Sequence, residues 1–154
     1  MARNDRLIRG ATVADVFAVL CDGSGYAEWV VGTRKIRDVD AGWPQPGARI
    51  HYTAGYWPMR KDDVTTSRGY EPEQRLELEA HAWPAGSVGI VITAKAAGPD
   101  VVVSLEESPA HGLLKTLHNP GFDLLIKARN VETLRRFEDQ LRVRQGGRLR
   151  PASG

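Results

Sequence analysis

Between Leu76 and Leu105 the apolar residues fall on every second position in three successive runs. Leu76, Leu78 and Ala80 alternate with Glu77, Glu79 and His81. Val88, Ile90 and Ile92 alternate with Gly89, Val91 and Thr93, and Val101, Val103 and Leu105 with Val102, Ser104 and Glu106. Successive side chains of a strand point to opposite faces, so these runs predict strands with one face turned to a core. Trp-Pro-Ala-Gly at residues 83–86 and Ala-Gly-Pro-Asp at residues 97–100 supply tight turns between them. The pattern is an antiparallel meander, and its dry face needs a covering layer.

The rest of the chain extends the meander and supplies the cover. Residues 35–40, 48–57 and 63–70 read as earlier strands, separated by Gly- and Pro-rich turns at residues 41–47 and 58–61. Before them, Thr12 caps a helix with Asp15 in its first turn, and Val13, Val16, Phe17 and Leu20 share one face. Asp22-Gly-Ser-Gly25 breaks that helix, and residues 26–30 predict a second short one. At the other end the spacing predicts a long helix over about residues 122–144, with Leu124, Val131, Leu134, Phe137 and Leu141 as its stripe. Arg129, Glu132, Arg136 and Asp139 are placed outside that stripe. Residues 108–121 read as loop with one helical turn at 113–117, and residues 145–154 as a disordered basic tail.

A chain of 154 residues holds one domain, here residues 1–144, and shows no internal repeat. A formal net charge of +2 excludes a strongly basic nucleic-acid module. One cysteine, Cys21, excludes an internal disulfide, and with four histidines a closed zinc site is not expected. The N-terminus lacks an apolar signal core and no run spans a bilayer, so a cytoplasmic protein without an integral membrane segment is expected. There is no P-loop, GxGxxG or GxSxG motif, and no cofactor is expected.

The element order is strand, two short helices, about six antiparallel strands and one long helix. It resembles the helix-grip fold of the START-like superfamily, also called SRPBCC or polyketide cyclase/dehydrase-like, over about residues 8–141. Val13-Ala-Asp-Val-Phe17, Tyr26-Ala-Glu-Trp29, Pro46-Gly-Ala-Arg-Ile-His51, Gly55-Tyr-Trp-Pro58, Tyr70-Glu-Pro72, Ala82-Trp-Pro-Ala-Gly86, Leu105-Glu-Glu107 and Arg129-Asn-Val-Glu-Thr-Leu134 resemble its actinobacterial branch in order and spacing. The resemblance implies an α+β fold in which a curved antiparallel sheet of six or seven strands grips the C-terminal helix. It also implies a cavity between sheet and helix for a lipid, polyketide or other apolar ligand. It implies no particular reaction, because such a fold carries many activities.

Candidate residues follow from the faces. Leu76, Leu78, Ile90, Ile92, Val103 and Leu105 are expected to floor the cavity, and Leu124, Ala128 and Val131 to roof it. Trp29, Tyr52, Tyr56 and Trp57, with Tyr70 and Trp83, suit a pocket mouth, since each joins an apolar ring to a polar tip. Glu107 falls on the dry face if the alternation of the last strand persists, and otherwise at a solvated strand end. Lys127 either snorkels along the helix edge or stands as one charge inside the pocket. His51 is the ambiguous histidine, whereas His81 shares a face with two glutamates and His111 and His118 lie in the loop. Two functions fit: binding of an apolar or aromatic small molecule, or cyclase/aromatase chemistry on a poly-ketone with Glu107, His51 or Lys127 moving protons. The expected partner is that small molecule and not nucleic acid, and the expected state is a monomer or homodimer.

Overall fold

The computed structural model describes residues 2–55, 58–81, 86–111 and 120–149. Seven strands form one antiparallel sheet: β1 (Ala2–Ile8), β2 (Thr33–Val39), β3 (Arg49–Ala54), β4 (Lys61–Glu71), β5 (Arg75–His81), β6 (Ser87–Ala97) and β7 (Asp100–His111). Their spatial order is β1-β7-β6-β5-β4-β3-β2. Strands β2 to β7 are thus a meander in chain order, and β1 closes it by pairing with β7, Ile8 opposite Val101. Tight turns make neighbours in sequence neighbours in space. The predicted alternation sets which side chains are inside: Leu76, Leu78, Ile92, Val101, Val103 and Leu105 are all buried.

Between β1 and β2 the chain makes α1 (Val13–Cys21), one 3₁₀ turn (Gly23–Gly25) and the single-turn α2 (Tyr26–Trp29). Thr12 caps α1 reciprocally with Asp15: the Asp15 N–H donates to Thr12 Oγ1 at 3.1 Å, and the Thr12 N–H to Asp15 Oδ2 at 3.0 Å. Val16, Phe17, Val19 and Leu20 then face the core. The close approach of this corner to β2 needs glycine at residue 23, where a Cβ would stand 2.8 Å from Val39 Cγ1.

The final helix, α3 (Pro120–Leu149), extends beyond both expected ends. Residues 145–149, expected in a loose tail, are helical, and Gln145 Nε2 donates to the Gly10 carbonyl at 2.9 Å. Strand β7 likewise runs to His111, past the expected loop start. The C-terminal half of α3 is held on several sides. Leu134, Phe137 and Leu141 are buried, Arg6 of β1 reaches Glu138 at 2.6 Å, and Arg144 pairs with Asp22. The N-terminal half is held differently. Leu124, Leu125 and Val131 are 69%, 65% and 53% exposed, and the helix leaves a hollow over the sheet there. Among the described residues no helix is long and apolar enough to cross a membrane. The turn expected at residues 113–117, with Tyr56, Trp57, Trp83, His118 and residues 150–154, lies outside the described residues.

A candidate binding cavity between the sheet and the last helix

The hollow has a volume of about 220 Å³. Inward residues of five successive strands make its floor: Ile50, Tyr52 and Ala54 of β3, Thr65 of β4, Leu78 and Ala80 of β5, Val88, Ile90 and Ile92 of β6, and Leu105 and Glu107 of β7. Register explains why they converge. Thr65 lies opposite Ala80, Ala80 opposite Val88, and Ile90 opposite Glu107, so each pair presents side chains on the same face. The α2 corner closes one side with Trp29, Val30 and Val31, next to Ile36 of β2, and α3 covers the top with Arg129, Asn130 and Thr133. The Val31 N–H donates to Thr133 Oγ1 at 3.3 Å and ties that corner to the helix.

The walls are mostly apolar, and the polar groups gather where α3 crosses β7. Glu107 continues the inward series of Val101, Val103 and Leu105 and is only 5% exposed. Arg129 reaches it from α3 and forms an ion pair. Burial pushes the Glu107 carboxyl above the usual carboxylate range, and the Arg129 charge and the neighbouring Asn130 only partly offset this. The same location raises the Tyr52 phenol. Burial is the chief cause, opposed by a hydrogen bond with Thr65 and by the Arg129 charge, while Asp63 adds to the rise.

Two cavity-lining donors are left over. Trp29 Nε1 and Asn130 Nδ2 are buried without a hydrogen-bond partner, and Asn4 Oδ1 shares that condition elsewhere in the fold. A buried donor left unpaired costs about 1–3 kcal/mol. Asn130 stands near enough to Glu107 to favour its charged form, yet its Nδ2 closes no hydrogen bond. Its Oδ1 accepts from Arg129 at 3.5 Å.

The structure brings together Trp29, Tyr52, Leu78, Ile90, Ile92, Leu105 and Glu107 of the expected set. Val103 and Leu76 are buried in the closed part of the core instead of the cavity wall. Trp29, expected at the mouth, is deep in the wall at 2% exposure, with its ring edge-on to Phe137 at 5.1 Å between centroids. The expected roof is incorrect. Leu124, Ala128 and Val131 face outward, and so does Lys127, which is absent from the cavity. At about 100° per residue, the arc through Leu134, Phe137 and Leu141 runs back to Asn130 and Ile126, not to Val131 and Leu124. Asn130, which lies on that arc, and Arg129, which lies off it and reaches Glu107 with its long side chain, are the cavity residues that the stripe concealed. The period of the three buried residues alone, extended toward the N-terminus, would have found Asn130.

His51 is also misplaced by the expectation. It alternates with Ile50 and Tyr52, points to the outer face, and contacts Asp40 at 3.1 Å through Nε2. With Asp38 these two residues bring ligand-type atoms within 4.8 Å of one another. Asp40 already accepts the Arg49 N–H at 2.9 Å, and contacts with His51 and Arg49 hold its carboxyl below the usual range. His81 lies at the rim of the hollow and contacts Asp63 at 2.7 Å through Nδ1.

No family model matches the sequence, and no curated protein is a significant match. Solved structures do match in shape. DynU16, a protein of the dynemicin biosynthetic locus, superposes with a TM-score of 0.66 at 15% identity, over 92% of this chain and 46% of its own. The di-domain aromatase/cyclase StfQ of the steffimycin biosynthetic pathway gives 0.68 at 11% identity, over 94% and 51%. Ara h 8.0201 gives 0.61 at 14% identity, over 91% and 95%. The chain thus spans about half the length of DynU16 and of StfQ, and nearly all of Ara h 8.0201. Seven antiparallel strands closed on a long C-terminal helix, in a shape shared with these proteins, give this chain a helix-grip fold.

Proposed function

We propose that the chain binds a small apolar or aromatic molecule in the hollow between the sheet and α3. The observation that carries this reading is a cavity of about 220 Å³ whose floor is drawn from five strands and is mostly apolar. An apolar cavity of about 150 Å³ stays dry and takes benzene, so this one suits a molecule of one or two rings. Removing apolar surface from water contributes about 25 cal/mol per Å², less the cost of association. Aliphatic walls without a dominant charge select by shape, and the Glu107–Arg129 end orients the guest. The shape relatives that are named for biosynthetic loci and pathways are compatible with such a guest.

Ala80→Leu tests the reading, because Ala80 lines the hollow at the centre of its floor. Naphthalene should raise the melting temperature of the native protein and leave that of the variant unchanged. A native protein that does not respond to a saturating concentration would overturn the proposal.

A second reading, catalysis on a ketone-bearing substrate, is favoured by one observation. Glu107 places a titratable carboxyl, with its pKa raised by burial, in the cavity wall. On this reading Glu107→Gln abolishes turnover and leaves binding intact. His51 contributes to neither reading, because it lies on the opposite face of the sheet from the cavity.

A further inference from the structure

We propose that the guest carries a neutral oxygen acceptor, such as a ketone or amide carbonyl, received by the Asn130 and Trp29 side-chain N–H groups, and that acidic guests are disfavoured. The inference rests on the cavity reading above and adds the chemistry of the guest.

What the cavity lacks determines what it can receive. Among the described residues three buried side-chain polar atoms have no partner, and two of them are donors on cavity-lining residues: Trp29 Nε1 and Asn130 Nδ2. Neither residue leaves an acceptor unpaired there. Asn130 Oδ1 is already occupied by Arg129, and an indole has no acceptor. Both residues are almost completely buried, Asn130 at 1% and Trp29 at 2%, so water does not satisfy them from outside. Both residues line the hollow, Asn130 from α3 and Trp29 from the α2 corner, where its ring packs edge-on to Phe137.

The charge of the site decides between a neutral and an anionic acceptor. Arg129 is the one permanent cation among the described cavity-lining residues, and Glu107 already pairs with it. A guest carboxylate would meet the Glu107 carboxylate in a poorly hydrated wall and would have to share that guanidinium. A carbonyl needs neither displacement nor a counter-ion. It accepts from the amide and indole N–H groups while the ion pair stays closed. The site thus distinguishes neutral from acidic guests of the same shape by leaving the acid one cation short.

Three probes of one size test this: acetylnaphthalene, ethylnaphthalene and naphthoate, titrated at neutral pH into the isotope-labelled full chain and followed by amide and indole N–H resonances. The ketone should bind roughly five- to ten-fold tighter than the hydrocarbon, the gain of one or two neutral hydrogen bonds. It alone should move the Trp29 indole and Asn130 side-chain resonances downfield. Naphthoate should bind more weakly than the ketone. In Asn130→Leu the preference for ketone over hydrocarbon should shrink to within about two-fold. Trp29→Phe, which keeps the ring, should reduce it, so one folded variant suffices. Equal binding of ketone and hydrocarbon with neither resonance shifted, or naphthoate as the tightest probe, overturns the inference and leaves the cavity reading standing. Failure of all three to bind overturns both.

Discussion

Glu107 follows three inward residues of β7 with the fourth inward side chain, and it is a carboxyl where the pattern before it is aliphatic. The period of two placed it inward only if the alternation ran to the strand end, with a solvated end as the alternative, and β7 keeps the alternation through this residue. Its partner was not legible in the sequence, since Arg129 comes from a helix whose rotation the local sequence did not fix. Burial raises the folded pKa of Glu107 above the ordinary 4.5. The folded state therefore holds this proton more tightly than the unfolded chain does. The stabilisation from the protonated form is complete below the ordinary value and is lost as pH rises through the raised one. Glu107→Gln keeps the neutral shape at every pH. The melting temperature of the variant should therefore gain on that of the native protein as pH is raised from about 4 to 7, a difference that parallel thermal melts would read. A native protein that gains on the variant over that range would mean that attraction to Arg129 outweighs burial.

α3 shows what an amphipathic pattern can hide. The segment carries apolar residues on two arcs, one through Leu134, Phe137 and Leu141 and another through Leu124 and Val131. A single stripe drawn through all five averages them. Packing selects the first arc, because Phe137 meets Trp29 and the ion pairs from Arg6 and Arg144 fix the rotation of the helix. Leu134→Ala and Phe137→Ala should each cost about 2–5 kcal/mol in denaturant unfolding. Leu124→Ala and Val131→Ala should stay within about 0.5 kcal/mol. A loss at Leu124 comparable to that at Leu134 would place the helix in a different rotation. By contrast, the cap of α1 needed no tertiary information. Thr12 and Asp15 satisfy each other's backbone groups within one turn, and the structure contains that pair as the sequence implied.

At the scale of the molecule the sheet and α3 leave a hollow between them that the described side chains do not fill. Pressure favours states without such voids, and the volume change of unfolding scales with the void eliminated. Ala80→Leu occupies part of the hollow, so its unfolding volume should be less negative than that of the native protein. Pressure-dependent fluorescence, with the buried Trp29 as its reporter, would measure it. An unchanged volume would mean that water already fills the space.

The strands, their dry faces, the capped first helix and the existence of a long last helix were written in the sequence, because each depends on periods and turns only a few residues long. The edges of the hollow were not. Which arc of α3 faces the sheet, and hence whether Val131 or Asn130 meets a guest, depends on contacts from Trp29, Arg6 and Asp22, residues more than a hundred positions away. Local periodicity says that a face is buried. Only the assembled sheet and helix decide against what, and which buried donors are left without an acceptor.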